Sequence, residues 1–113
     1  MSDCIFCKIA AGEIPSNKVY EDDKVLAFYD LNPNAKVHVL IIPKEHIANV
    51  AEIDETNSAV VAHIFEVIAK LAKELNLEKG FRVVSNCNEY AGQSVFHLHF
   101  HLLGGEQLSM KMC

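Results

Sequence analysis

The sequence has no tryptophan, 3 prolines and 5 glycines among its 113 residues. Scarce proline and glycine leave no linker or low-complexity tract, and no segment repeats. One domain over residues 1–113 is therefore expected. No stretch approaches the roughly 20 apolar residues that a membrane span needs. Met1-Ser2-Asp3-Cys4 lacks the basic start and apolar run of a secretion signal, so a cytoplasmic protein with no membrane contact is expected. Basic residues are outnumbered: 10 Lys and Arg face 15 Asp and Glu, a formal charge of −5. That balance argues against a protein that tracks a nucleic-acid backbone, whose affinity rests on clustered cations. It still permits a pocket for one small anion, built from backbone amides and histidines. In a reducing compartment the 4 cysteines read as thiols or metal ligands rather than as a disulfide framework.

Half of the residues are hydrophobic, enough for a core. A chain this short also gains from a partner subunit, because its surface is large for its volume. Cys4 to Ala11 reads as a short helix stopped near Gly12 and Pro15. Val19–Tyr20 and Val25–Tyr29 flank a polar Glu21-Asp22-Asp23-Lys24 and predict a hairpin. Asn32-Pro33-Asn34 is a turn, and Val37 to Ile42 is an apolar strand ended by Pro43. Asp54 to Leu75 is the one long helix, capped by Asp54 or Thr56. Its apolar stripe runs from Val60 to Leu75, with His63, Glu66, Lys70 and Lys73 opposite. Glu66 and Lys70, four apart, predict an exposed ion pair. Phe81 to Ser85 and Phe96 to Leu103 complete five strands. Turns rather than crossover helices separate most of them. The expected class is α+β: an antiparallel five-stranded sheet with one long helix across it and a short N-terminal helix.

The informative segment is Gly92-Gln93-Ser94-Val95-Phe96-His97-Leu98-His99-Phe100-His101-Leu102-Leu103. Strand alternation puts His97, His99 and His101 on one face and Leu98, Phe100 and Leu102 on the other. Three aligned imidazoles could be a solvated face, a metal cluster, or a nucleophile with its helpers. A lone histidine is most often the first. Three in strict alternation beside a Gly-Gln-Ser loop, without the acidic residues a di-metal hydrolase needs, favour nucleophilic catalysis.

His-Leu-His-Phe-His-Leu-Leu fits, at all seven positions, the alternating His and apolar signature of the histidine triad (HIT) family. Ile5-Phe6-Cys7-Lys8-Ile9, Glu21-Asp22-Asp23, Ala27-Phe28-Tyr29-Asp30, Ile42-Pro43-Lys44 and Gly92-Gln93-Ser94 also sit where that family has them. The chain thus resembles the HIT family, its Hint branch in particular, over nearly its whole length. The resemblance implies a HIT-like fold and a hydrolase of purine nucleoside phosphoramidates or related nucleotidyl esters, such as AMP or GMP derivatives. His99 would be the nucleophile, forming a nucleotidyl-histidine that water resolves. Its second nitrogen would be held by the backbone carbonyl of His97. His101 would contact the phosphate, His38 would relay protons, and Ser94 would hydrogen-bond the leaving group. Gln93 and nearby amides, with Asn86, would hold phosphate oxygens. Asp30 would bind the ribose hydroxyls; as a residue before Asn32-Pro33 it is equally a turn former. Ile5, Phe6, Ile9, Ile14, Phe28 and Leu31 fall at the purine slot, where each also reads as core. Asn86 equally reads as part of an ordinary loop.

Cys4-Ile5-Phe6-Cys7 is a C-x-x-C pair, shared by redox motifs, metal sites and chance. The resemblance implies completion by His46 and His97, giving one closed, structural zinc per chain and no cofactor for catalysis. Two reduced thiols in a packed helix are the alternative. Cys87 and Cys113 read as spare thiols. The family also implies a homodimer, through the central helix and its adjacent strand. Two departures stand out: Met110 replaces an aromatic residue common near the C-terminus, and Tyr29 replaces a histidine before the ribose-binding Asp. The first concerns leaving-group preference, and neither touches His99. The competing readings are a dinucleoside polyphosphate hydrolase and a nucleotide-binding regulatory or scaffold protein with slow turnover.

Overall fold

The computed structural model describes residues 4–111; Cys113 and the first three residues lie outside them. Seven elements follow one another: α1 (Ile5–Ala10), β1 (Lys18–Glu21), β2 (Val25–Tyr29), β3 (Val37–Pro43), α2 (Ser58–Glu74), β4 (Phe81–Val84) and β5 (Phe100–Gly104), with short 3₁₀ turns at Val50–Glu52 and Glu89–Ala91. The strands form one sheet in the order β1-β2-β3-β5-β4, and every neighbouring pair is antiparallel. The expected α+β architecture holds. No helix among the described residues is long and apolar enough to cross a membrane.

Alternation along the strands divides the core into two layers. Val25, Ala27, Val39, Ile41, Phe100 and Leu102 point to the α2 side, where Ile64, Val67, Ile68 and Leu71 meet them. Leu26, Phe28, Leu40 and Ile42 point the other way, against Phe6 and Ile9 of α1. α1 covers only part of that second face. The uncovered remainder, over β3, β5 and β4, is where the histidines emerge.

Three expectations need correction. α2 begins at Ser58, not Asp54. Asp54 spends its carboxylate on the amide and hydroxyl of Thr56, which folds a turn instead of capping the helix. Asn57 is the N-cap residue, yet its side chain caps nothing; it accepts from the Asp54 amide and donates to the Glu52 carbonyl. The expected Glu66–Lys70 pair does not form: Glu66 lies 3.6 Å from His63, and the Lys70 ammonium sits 4.9 Å over the Tyr20 ring. β5, finally, begins at Phe100 rather than Phe96. β4 stops at Val84, paired with His101, so residues 96–99 have no ladder partner there. They are held by other bonds: Leu98 donates its amide to the Ile47 carbonyl at 2.6 Å, and the Ser85 hydroxyl donates to the His99 carbonyl at 2.9 Å. The chain bends at His97, yet the alternation survives: Leu98, Phe100 and Leu102 all enter the α2 core.

Candidate active site

His99 is buried against the edge of Phe6, with ring centroids 5.0 Å apart and planes perpendicular. Its Nδ1 donates to the His97 carbonyl at 2.7 Å. That bond fixes the tautomer, so Nε2 carries the lone pair. His99 lines a cleft of about 390 Å³ between α1, the end of β2 and the loop before β5. Ile5, Phe6, Ile9, Ile14, Phe28 and Leu31 form its apolar wall, and Asp30, Ser94 and His101 its polar end. Ten of the positions expected to bind nucleotide or catalyse are thus brought together around one hollow. Val95, Leu40, Tyr29 and Ser16 line it too. In sequence Tyr29 stands out only as a departure from the family pattern, and sequence reasoning did not single out the other three, although strand alternation from His38 would have placed Leu40 on that face.

A chain of hydrogen bonds sets the protonation of His101. The Asn34 amide donates to His38 Nδ1 at 3.0 Å, so neutral His38 carries its hydrogen on Nε2. That nitrogen lies 2.9 Å from His101 Nδ1, which must accept. The remaining hydrogen of His101 is therefore on Nε2. Burial, reinforced by His99 and His38, pushes His101 down to about 4. Burial also lowers His38, although the Asp30 carboxylate opposes it, from 3.5 Å. Both rings stay neutral near pH 7. One nitrogen of this trio offers a lone pair and another offers a hydrogen.

Asp30 closes the turn read from its sequence and also faces the cleft. One oxygen accepts the Asn32 amide at 2.8 Å, closing the turn, while the residue lines the cleft. Gln93 departs from expectation. Its side chain is buried, its oxygen accepts from Asn49 and the Asn88 amide, and its nitrogen donates to the carbonyls of Ala48 and Val95. All four positions are spent on bracing the loop. Only the backbone here remains for phosphate. Gly92 supplies the left-handed turn, at φ 78°, that starts this loop. Asn86 lies outside the apolar cleft, in an adjoining hollow of about 570 Å³ with His38 and His101.

His97 does not line the cleft. It is fully buried, its Nε2 donates to the Pro43 carbonyl at 2.8 Å, and its Nδ1 faces Cys4 at 3.3 Å and Cys7 at 3.4 Å. His46 Nδ1 is 3.1 Å from the Cys7 sulfur. The four expected ligand atoms lie within 4.8 Å of one another. Two sulfurs and two imidazole nitrogens are the donor set of a closed tetrahedral metal site, and the Pro43 bond is the outer-sphere anchor such a histidine needs. The residues fit the metal. Cys4 also accepts the Cys7 amide as the cap of α1, so the cluster and the helix start are one structure. Among the described residues Cys4, Cys7 and Cys87 are free of disulfides.

Comparison with known proteins agrees with this geometry. The sequence pattern of the HIT domain matches residues 11–108. A solved HIT family hydrolase from Clostridium thermocellum is 52% identical and superposes with a TM-score of 0.97, over 100% of this chain and 99% of that one. A histidine triad protein from Clostridium difficile is 53% identical with a TM-score of 0.95, over 98% and 97%. A 14 kDa zinc-binding protein of Zea mays is 46% identical over 96% of this chain and 86% of its own.

Proposed function

The chain belongs to the HIT domain family, and from that premise we propose that it hydrolyses purine nucleoside phosphoramidates or related nucleotidyl esters, releasing the nucleoside monophosphate. At the coarser level it is a hydrolase-like, nucleotide-binding HIT protein. The observation that carries the finer reading is the Nδ1 hydrogen bond of His99 to the His97 carbonyl, which in the neutral ring puts the attacking lone pair on Nε2. A neutral imidazole is a competent nucleophile near pH 7, whereas a hydroxyl needs a base first.

The nucleoside lies in the apolar cleft, with its ribose hydroxyls on the Asp30 oxygen that does not hold the Asn32 amide. The α-phosphate sits between His99 and His101. Nε2–H of His101 donates to a phosphate oxygen, and this hydrogen bond is preorganised by the line from Asn34 through His38. In the first step the His99 lone pair forms an N–P bond while the bond to the leaving group breaks. The leaving group keeps the electron pair and takes a proton through the Ser94 hydroxyl. In the second step water adds to phosphorus, the imidazole departs, and the proton from water restores the one spent. The net change is addition of one water across the P–N or P–O bond.

Cys4, Cys7, His46 and His97 would hold one zinc. Bound there it is structural, with no open position for substrate. A reducing, cytoplasmic setting keeps these thiols available. Two chains form a homodimer in this reading, and residues 1–113 act as one unit.

The deciding experiment is turnover of adenosine 5′-phosphoramidate by wild type and His99→Ala. Wild type releases AMP, and the variant loses activity by on the order of 10³-fold or more while still binding AMP. Full turnover by His99→Ala would end the mechanism.

A further inference from the structure

The hollow that adjoins the apolar cleft holds the only arginine of the chain, Arg82. Sheet register explains how it comes to be there. Val84 pairs with His101, Arg82 with Leu103, and Leu103 in turn with His38. His101 and Leu103 are two apart on β5, and Arg82 and Val84 two apart on β4. Alternation therefore puts His38, His101, Leu103, Arg82 and Val84 on one face of the sheet, opposite α2. Arg82 is two strand spacings from His38, roughly 10 Å at about 4.8 Å per strand.

The guanidinium makes one hydrogen bond among the described residues, to the Ser109 carbonyl at 2.6 Å, and no salt bridge to any of them. A guanidinium has five N–H donors, so most remain free. In a chain with net charge −5, an arginine without a carboxylate partner, half-buried in a polar hollow, is unusual. The hollow meets the apolar cleft at His101, which lines both. A phosphorus atom held there has its nucleoside on one side and its leaving group on the other.

Resting on the hydrolase reading above, we propose that the hollow of Arg82, Asn86 and Ser109 receives the leaving group, and that Arg82 selects leaving groups carrying an anion: a carboxylate on the departing amine or a further phosphate. A planar guanidinium matches both oxyanions in bidentate geometry. Acidic character in the leaving group, rather than size or aromaticity, is then the determinant of substrate class.

The test compares kcat/KM for three substrates: an adenosine phosphoramidate of a neutral alkylamine, one of aspartate attached through its amino nitrogen, and ADP. Wild type prefers one or both anionic substrates over the neutral one, and the substrate preferred identifies the anion as carboxylate or phosphate. Arg82→Gln lowers the anionic-to-neutral ratio roughly ten- to a hundredfold, the range of one hydrogen bond to a charged group. Arg82→Lys, which keeps the charge without the planar fork, recovers part of the ratio. Lys24→Gln, an equal loss of charge on the exposed β1–β2 turn, leaves it unchanged. Absence of any anionic preference in wild type overturns the assignment even where the arginine variants misfold, while leaving the hydrolase reading standing. So does a folded Arg82→Gln with an unaltered ratio. Failure to turn over any of the three overturns both.

Discussion

Gln93 is where residue identity and residue role part company. Its place in Gly92-Gln93-Ser94 marks it for phosphate, and its neighbours Ser94 and Val95 do reach the cleft. The side chain instead joins Asn49, Asn88, Ala48 and Val95 into one hydrogen-bonded knot around the buried Gln93 and Asn49. Nothing in local sequence signals that knot, because Asn49 is 44 positions away. Gln93→Ala leaves the Asn88 amide and the Ala48 carbonyl without their partners. A polar group left unpaired away from water costs about 1–3 kcal/mol, and these two are partly shielded, so chemical denaturation detects a loss larger than for a typical surface change. Gln93→Glu discriminates further: it keeps the shape but removes two donors, and it too is destabilising. A Gln93→Ala protein as stable as wild type would show that the loop stands without its brace. The shared face of His97, His99 and His101, by contrast, was legible from spacing, since alternation does not need a paired strand; the choice of His99 among them came from the resemblance.

Elements show the same division between pattern and context. Five strands, two helices and the antiparallel order follow from turns and periodicity. The start of α2 and of β5 do not, because each depends on what a distant segment offers: a turn that absorbs Asp54, and a β4 too short to pair residues 96–99. α1 illustrates what an element owes to tertiary contacts. Six residues are far too few for an independent helix, so its apolar packing and the Cys4, Cys7, His46, His97 cluster must hold it. With zinc bound, elemental analysis returns about one metal per chain. Stripping it with a chelator, or substituting Cys4→Ser, lowers Tm and weakens AMP binding as well, because Phe6 and Ile9 of α1 wall the nucleoside cleft. A metal-free protein of undiminished Tm removes the zinc assignment.

A second tie between elements was also invisible in sequence, where His63 reads as part of the solvated side of α2. His63 Nε2 meets Asp22 at 2.6 Å, joining α2 to the β1–β2 turn. Tyr20 also donates to Asp22, and Glu66 lies beside the other ring nitrogen. The Asp22 hydrogen bond, more than the opposing burial, raises His63. Burial would raise Asp22, but the hydrogen bonds from His63, the Lys24 and Val25 amides and Tyr20 outweigh it and hold the carboxyl well below the usual range. The sign follows from linkage. The His63 contribution is complete below its unfolded value of about 6.5 and is lost as pH rises through the higher folded value. The Asp22 contribution is present above about 3.9 and is lost as pH falls through the lower folded value. The stability gap between wild type and His63→Gln is therefore widest near pH 5–6 and shrinks in alkali. A gap that widened above pH 8 would contradict this pairing.

At the scale of the whole molecule, the sheet leaves β1 and β4 as its edges. β4 is only four residues long, and Phe81 at its start is 43% exposed. Phe65 on α2 is 46% exposed although its ring edge meets Phe100, with centroids 5.4 Å apart. An unpaired edge and two uncovered aromatic rings are what a stable monomer avoids. The homodimer proposed above, through α2 and β4, would bury them together by pairing the edge with its own copy in an isologous interface. Sedimentation at micromolar concentration then gives the mass of two chains. Phe81→Lys, which places charge on the edge without entering the core, shifts the protein toward one chain with its far-UV circular dichroism intact. The hollow of Arg82 is bordered by β4, so monomerisation also perturbs the anionic-to-neutral ratio more than turnover of the neutral amine. Wild type that sediments as a single chain refutes the dimer, and would leave the two aromatic rings on α2 and β4 to solvent.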